Sequence, residues 1–307
     1  MQFTSGYEQG TFTYPNGDIY VGEQQDGKRH GQGKIRCADG RAYEGKWDND
    51  KKSGQGTYTW LDGRVYVGSW HNDDQRSGQG TMTWPNGAVY EGSWQNDMRH
   101  GQGKKVQHDG RVYEGKWENG KKEGQGRYTW PNGAVYEGSW QNDMRHGQGK
   151  EVENDGRVYE GKWENGKIDG QGRMSWPDGA VYEGSWRNDL RHGQGKQVVN
   201  DGRVYEGQWE NGKKEGQGRY TWPNGAVYEG SWRNDLRHGQ GKQFEGDGRV
   251  YEGKWENGKK DGQGRFTWPD GDVYEGSWQN DVRYGQGKQV ECDGTVYDGP
   301  WANGKHA

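Results

Sequence analysis

The stretch "TWPNGAVYEGSWQNDMRHGQGK" occupies Thr83 to Lys104 and returns letter for letter from Thr129 to Lys150. A unique pocket has no use for a second copy of itself 46 residues on, so the duplication points to architecture before chemistry. Within the stretch, "VYEGSW" alternates at period 2, with Tyr, Gly and Trp on one face and Val, Glu and Ser on the other. "ND" or "NG" then marks a turn, a second alternating run such as "GQGRYTW" follows, and "PNG" closes the unit. A helix is excluded, because glycines two apart cost about 1 kcal/mol each and the breakers leave no run long enough to nucleate one.

Outward from this stretch, the tyrosine of "YEG" recurs at Tyr20, Tyr43, Tyr66, Tyr90, Tyr113, Tyr136, Tyr159, Tyr182, Tyr205, Tyr228, Tyr251, Tyr274 and Tyr297. Every step is 23 residues except Tyr66 to Tyr90, where "HNDDQRSG" holds one more. That residue is expected in a loop that leaves the strand register intact. Residues 1–307 therefore read as one continuous array. It has a partial repeat over 1–19, repeats starting near 20, 43, 66, 90, 113, 136, 159, 182, 205, 228, 251 and 274, and a terminal partial repeat over 297–307.

Composition supports an unusual interior. Only 26% of residues are hydrophobic and the mean hydropathy is -1.50, which excludes a conventional core. Disorder is the weaker reading, because the chain carries 18 Trp and 19 Tyr. With a six-residue loop, each hairpin would set Trp117 opposite Gly124, Gly115 opposite Gly126 and Tyr113 opposite Tyr128. The predicted fold is all-β: an elongated, open, single-layer antiparallel β-sheet of stacked hairpins, its rings filling the space that glycine leaves empty. The chain is expected to finish after a single strand containing Pro300, which lacks a backbone donor. A propeller of 46-residue blades is the structural rival, but the period is half a blade and the GH…WD signature is missing.

The run "YEGKWENGKKEGQGRYTWPNG", Tyr113 to Gly133, resembles the MORN motif (membrane occupation and recognition nexus), Y-x-G-x-W-x-x-G-x-x-x-G-x-G with an aromatic second strand. About a dozen copies cover nearly the whole chain, departing at Gln24 in a Trp slot, at the Asp of the "QND" and "RND" turns, and at Pro300. The resemblance implies a solenoid of hairpins that serves as an assembly module, of the kind found in ciliary radial-spoke proteins, junctophilins, plant phosphatidylinositol phosphate kinases and alsin-like proteins. Catalysis in the multidomain members lies outside the array. It further implies a scaffold whose aromatic, glycine-lined groove receives a peptide, a helix or another copy of the chain in a cytoskeletal or ciliary assembly. The candidate groove residues are Tyr113, Trp117, Tyr136, Trp140, Tyr159, Trp163, Tyr182 and Trp186, with a spaced stripe of Trp84, Trp130, Trp176, Trp222 and Trp268 that occurs once per 46 residues and has Trp60 before it.

Other function classes are weaker. His30, His100, His146, His192 and His238 recur too far apart to share a metal, the last four standing roughly 19 Å from one to the next at four strand spacings. The simpler reading is a partly exposed histidine at a strand entry, with Glu123, Asp169, Glu215 and Asp261 at the matching place of the alternate units as weak lengthwise partners. No Ser–His–Asp or Cys–His set stands apart from the repeat, "GQGK" lacks the spacing of a phosphate loop, and no cofactor is implied, so an enzyme is not expected. A formal net charge of -4 provides no field toward nucleic acid or anionic lipid, leaving a phosphoinositide-binding adaptor as the alternative reading and weak or no lipid binding as the expectation. Glycan or choline binding is a second alternative, but the aromatic doublets of such cages are absent. Without an apolar run of membrane length or a signal-peptide pattern, and with only Cys37 and Cys292, the sequence reads as cytoplasmic, with protein partners and self-association expected.

Overall fold

The computed structural model describes residues 6–71 and 74–307. Every regular element in them is a β-strand. The chain divides into two compact units, Met1–Asn154 and Asp155–Ala307. In the first, thirteen strands run from Tyr7–Thr13 to Met144–Val152, each antiparallel to the next in sequence. In the second, fourteen run from Val158–Glu164 to Lys305–His306 in the same manner. Every strand inside a unit pairs with both sequence neighbours, so the sheet is not cut into four-stranded blades.

The hairpin of Val112–Glu118 and Lys121–Thr129 shows how the sequence builds the layer. Gly115 faces Gly126 and Tyr113 faces Tyr128, as expected, but Trp117 faces Lys122 rather than Gly124. The connection has two residues, not six: Asn119 and Gly120 both take positive φ (50° and 82°), the backbone of a type I′ turn. The extra length of the second strand is taken up as a bulge opposite Lys116, where Gly124 adopts φ +62°, and Gly124 pairs on its other side with Trp140. The repeat with one more residue keeps its register, with Gly68 opposite Gly80 and His71 opposite Gln75. Asn72 and Asp73 of its connection lie outside the described residues, as does the opening Met1–Ser5. Past Pro300 the chain adds one more short strand, Lys305–His306, instead of ending on a single strand, since the proline still offers its carbonyl, which accepts the Ala307 amide at 3.0 Å.

The facing glycines continue from strand to strand through each unit, and their missing side chains are what the interior requires. A Cβ on Gly115 would lie 2.5 Å from the Gly126 Cα and 2.6 Å from the Gln125 carbonyl oxygen. Gly115→Ala is therefore expected to lower the free energy of unfolding by about 2 kcal/mol in a urea melt, as other overpacked sites do. A wild-type midpoint would show that the strands need not approach so closely.

Candidate docking face

Each tyrosine of the series from Tyr20 to Tyr274 lies over the glycine pair of its own hairpin. A Cβ on Gly126 would fall 2.3 Å from the Tyr113 hydroxyl oxygen, and that hydroxyl donates to the Lys116 carbonyl at 2.9 Å. The tryptophan four residues on joins neighbouring repeats. Trp117 meets Tyr113 edge to face at 5.0 Å between centroids and Tyr90 of the preceding repeat at 5.5 Å, while its indole N–H donates to the Gly103 carbonyl at 3.1 Å. Alternating Tyr and Trp thus form a ladder that crosses every hairpin of a unit and takes the place of an apolar core. Gln24, in the Trp slot of its repeat, is buried and donates instead to the Tyr14 hydroxyl at 3.2 Å.

Cations cap this ladder, a feature the sequence reading missed. The second residue of each second strand, such as Arg99 or Lys122, lies over the indole of the following repeat: Arg99 Cζ is 4.1 Å from the Trp117 ring and Lys122 Nζ 4.2 Å from Trp140. The signal was available as a basic letter recurring every 23 residues, broken at Ile168. The same positions tie the turns together. The Arg99 guanidinium donates to the Gly120 carbonyl at 2.6 Å, and in "QND" repeats the Asp143 carboxylate accepts the Lys122 amide at 2.9 Å. The aspartate that departs from the family pattern is thus a clasp between hairpins, held at φ +69°.

The candidate groove residues separate into two groups. Tyr113, Trp117, Tyr136, Trp140, Tyr159, Trp163, Tyr182 and Trp186 are all at most 7% exposed, so they offer no face to a partner; their rings are committed to the glycine row and to one another. This corrects the expectation that they line a groove. Trp84 and Trp130 in the first unit, and Trp176, Trp222 and Trp268 in the second, are half-exposed. Each opens the five-residue link to the next strand, closed in Trp130's case by the Gly133 amide donating to the Trp130 carbonyl at 3.0 Å. Trp130 leans on Tyr128 at 4.6 Å, Trp222 on Tyr220 and Trp268 on Phe266, both at 4.5 Å, which fixes one side of each indole while part of each residue stays exposed.

The imidazoles find different partners from those expected. His30 Nδ1 stands 3.6 Å from Asp48 and His238 Nδ1 3.5 Å from Glu256, acids on the first strand of the next repeat. Glu123 and Glu215 are occupied elsewhere, accepting the turn amides of Asn142 at 3.0 Å and Asn234 at 2.9 Å; Asp169 and Asp261 do the same for Asn188 and Asn280. Among the described residues no group of three or more His, Cys, Asp and Glu side chains could hold a metal. The opposite face of the sheet carries rows of exposed opposite charges, such as Lys34 with Glu44 at 2.6 Å and Arg219 with Glu229 at 2.8 Å, each worth little in water.

A family model described as MORN repeat matches residues 9–19, 20–40, 43–63, 66–89, 90–110, 113–135, 136–156, 159–181, 182–202, 205–227, 228–244, 251–273 and 274–296. Among curated proteins none matches the sequence significantly. Of solved structures, the TCP10 domain of Danio rerio CPAP in complex with a peptide of Danio rerio STIL is 13% identical, with 95% of this chain and 98% of that chain covered and a TM-score of 0.23. The SAS-4 (dCPAP) TCP domain of Drosophila melanogaster, in complex with a proline-rich motif of Ana2, is 12% identical, with 66% and 90% covered and a TM-score of 0.29. Virginiamycin B lyase from Staphylococcus aureus is 12% identical, with 97% and 85% covered and a TM-score of 0.14. At such scores none of the three carries an argument about this chain.

Proposed function

The chain belongs to the MORN repeat family, and on that premise we propose that it is a non-enzymatic scaffold that docks a protein partner along its half-exposed tryptophans. The observation behind this reading is the contrast between two sets of rings. The ladder that holds the sheet together recurs in every repeat and is buried, whereas Trp84, Trp130, Trp176, Trp222 and Trp268 recur only in every second repeat and stand partly in solvent. A ring that served packing alone would be wanted in each repeat, yet Gln107, Glu153, Val199 and Glu245 fill the slot in between. Indoles backed on one side and partly exposed suit an extended peptide, a helix or a second copy of the chain, joined by several weak contacts within each unit. The setting proposed with it is a cytoskeletal or ciliary assembly, on the strength of the family resemblance alone.

The test is direct. Partners identified by proximity labelling should be lost from the variant carrying Trp130→Ala, Trp176→Ala and Trp222→Ala while its circular dichroism stays that of the wild type. Undiminished partner capture by the folded variant would overturn the proposal.

A further inference from the structure

One repeat breaks the pattern in a way that stability does not explain. Six residues after the capping cation, several other repeats place a side chain that the cation approaches, while Ile35 and Met82 are apolar there. Arg145 meets Glu151, Arg237 meets Gln243, and Arg283 donates to Gln289 at 2.6 Å. Where the cation is lysine the partner is a ring: Lys122 stands 4.8 Å from Tyr128, Lys214 4.9 Å from Tyr220 and Lys260 4.7 Å from Phe266. In the repeat that carries Arg99 the position is Lys105, a like charge.

The acids around it are already engaged, and of them Asp143 still acts on Lys105 through space. The Asp97 carboxylate is held by the Arg76 guanidinium at 2.8 Å and by the Arg76 amide at 3.0 Å, Asp143 by the Lys122 amide, and Asp109 by Arg111 at 2.7 Å. Among the described residues Lys105 has one ring near its ammonium, Trp84 at 5.8 Å, and no carboxylate partner. Burial pushes the Lys105 and Arg99 pKa values down, with Arg99 adding to the effect at Lys105, and burial with Lys105, Arg111 and Arg99 brings Lys122 to about 8. Arg99 and Lys105 border a hollow of about 400 Å³ in the first unit, lined also by Arg64, Arg76, Trp84, Asp97 and Met98.

We infer that this hollow takes a carboxylate of an acidic segment of the docked protein partner, a reading that rests on the proposed scaffold role. Arg99 and Lys105 receive the carboxylate, and Trp84 and the exposed Met98 receive the apolar residues beside it. The arrangement already exists inside the chain: one repeat pair further on, Glu151 occupies the corresponding place and Arg145 binds its carboxylate. Here the chain supplies the two cations and leaves the acid to the partner. A membrane surface is the poorer fit, because the formal net charge is -4 and the cations sit in a recess beside indole rather than on an open basic face.

The probe is a fluorescein-labelled peptide of sequence EELEE, followed by fluorescence anisotropy on the full chain. Lys105→Gln is a safe substitution, since Gln197, Gln243 and Gln289 occupy the equivalent place in other repeats. It should weaken binding about tenfold. Lys104→Gln, beside Lys105 in sequence but facing Glu114 on the opposite side of the sheet at 3.8 Å, should leave binding unchanged. Equal affinity for wild type and Lys105→Gln would overturn the inference. So would Lys105-dependent binding to phosphatidylcholine vesicles doped with phosphatidylinositol bisphosphate in the absence of peptide binding. If Lys105→Gln retains the labelled partners and the triple tryptophan variant loses them, the scaffold reading stands and the acid-binding hollow falls.

Discussion

Trp117→Ala is expected to cost about 4 kcal/mol of unfolding free energy, the range for truncating a large buried ring. The magnitude follows from what one indole does in a sheet without a second layer. Trp117 is 2% exposed, holds Tyr113 and Tyr90 edge to face, carries the Arg99 guanidinium at 4.1 Å, and donates its N–H to the Gly103 carbonyl at 3.1 Å. Its removal opens a cavity, strips a buried carbonyl of its partner and separates two repeats at once. Trp117→Phe keeps part of the ring contact but not the hydrogen bond, and should fall between wild type and alanine. Guanidinium melts of the three proteins test this, and a loss below about 1 kcal/mol for Trp117→Ala would mean that the ladder does not carry the fold.

Raising the pH is expected to unfold the protein cooperatively. Burial, the largest cause in each case, pushes the hydroxyls of Tyr20, Tyr90, Tyr136 and Tyr182 from 10.0 up to about 12. Tyr43, Tyr66, Tyr113, Tyr159, Tyr205, Tyr228 and Tyr251 are raised further for the same reason. A raised folded-state pKa means that above the unfolded value the unfolded chain binds fewer protons than the native one, so stability falls as pH rises. Their contribution is whole below pH 10 and is lost on the way to 12 and beyond. Added over eleven hydroxyls, the loss is large against the marginal stability of an ordinary domain. Tyrosinate absorbance and circular dichroism should therefore change together in one steep transition above pH 10. A gradual titration centred near 10 with the strand signal intact would show that the hydroxyls are not buried.

Much of this was legible in the sequence because the repeat states it many times over. Alternation assigned the strands, the interval between tyrosines assigned the hairpins, and paired glycines assigned the face on which rings lie, so Gly115 opposite Gly126 and Tyr113 opposite Tyr128 were expected and found. The pairing of Trp117 was misjudged because a bulge leaves no mark in the period. Gly124 reads as a face residue, and only its positive φ shows that it absorbs the length that a two-residue turn saves. The docking residues were misjudged for a related reason. Tyr113 and Trp117 alternate onto the same side as Trp130, but alternation does not say which rings on a face are covered.

What the sequence determined alone is the family, the all-β class and the hairpin as the repeating unit. These depend on local conformational preference and periodicity, which act within a few residues. What only the tertiary structure decided is exposure and charge: that Arg99 and Lys122 cap the indoles of the next repeat, that Asp143 clasps the hairpin before it, and that Lys105 lies close enough to Arg99 for the two like charges to act on each other. Those contacts join side chains from adjacent strands and repeats, and the bulge and turn set their register. The chain folds from rules that neighbours in sequence obey, whereas its binding surface is made by neighbours in space.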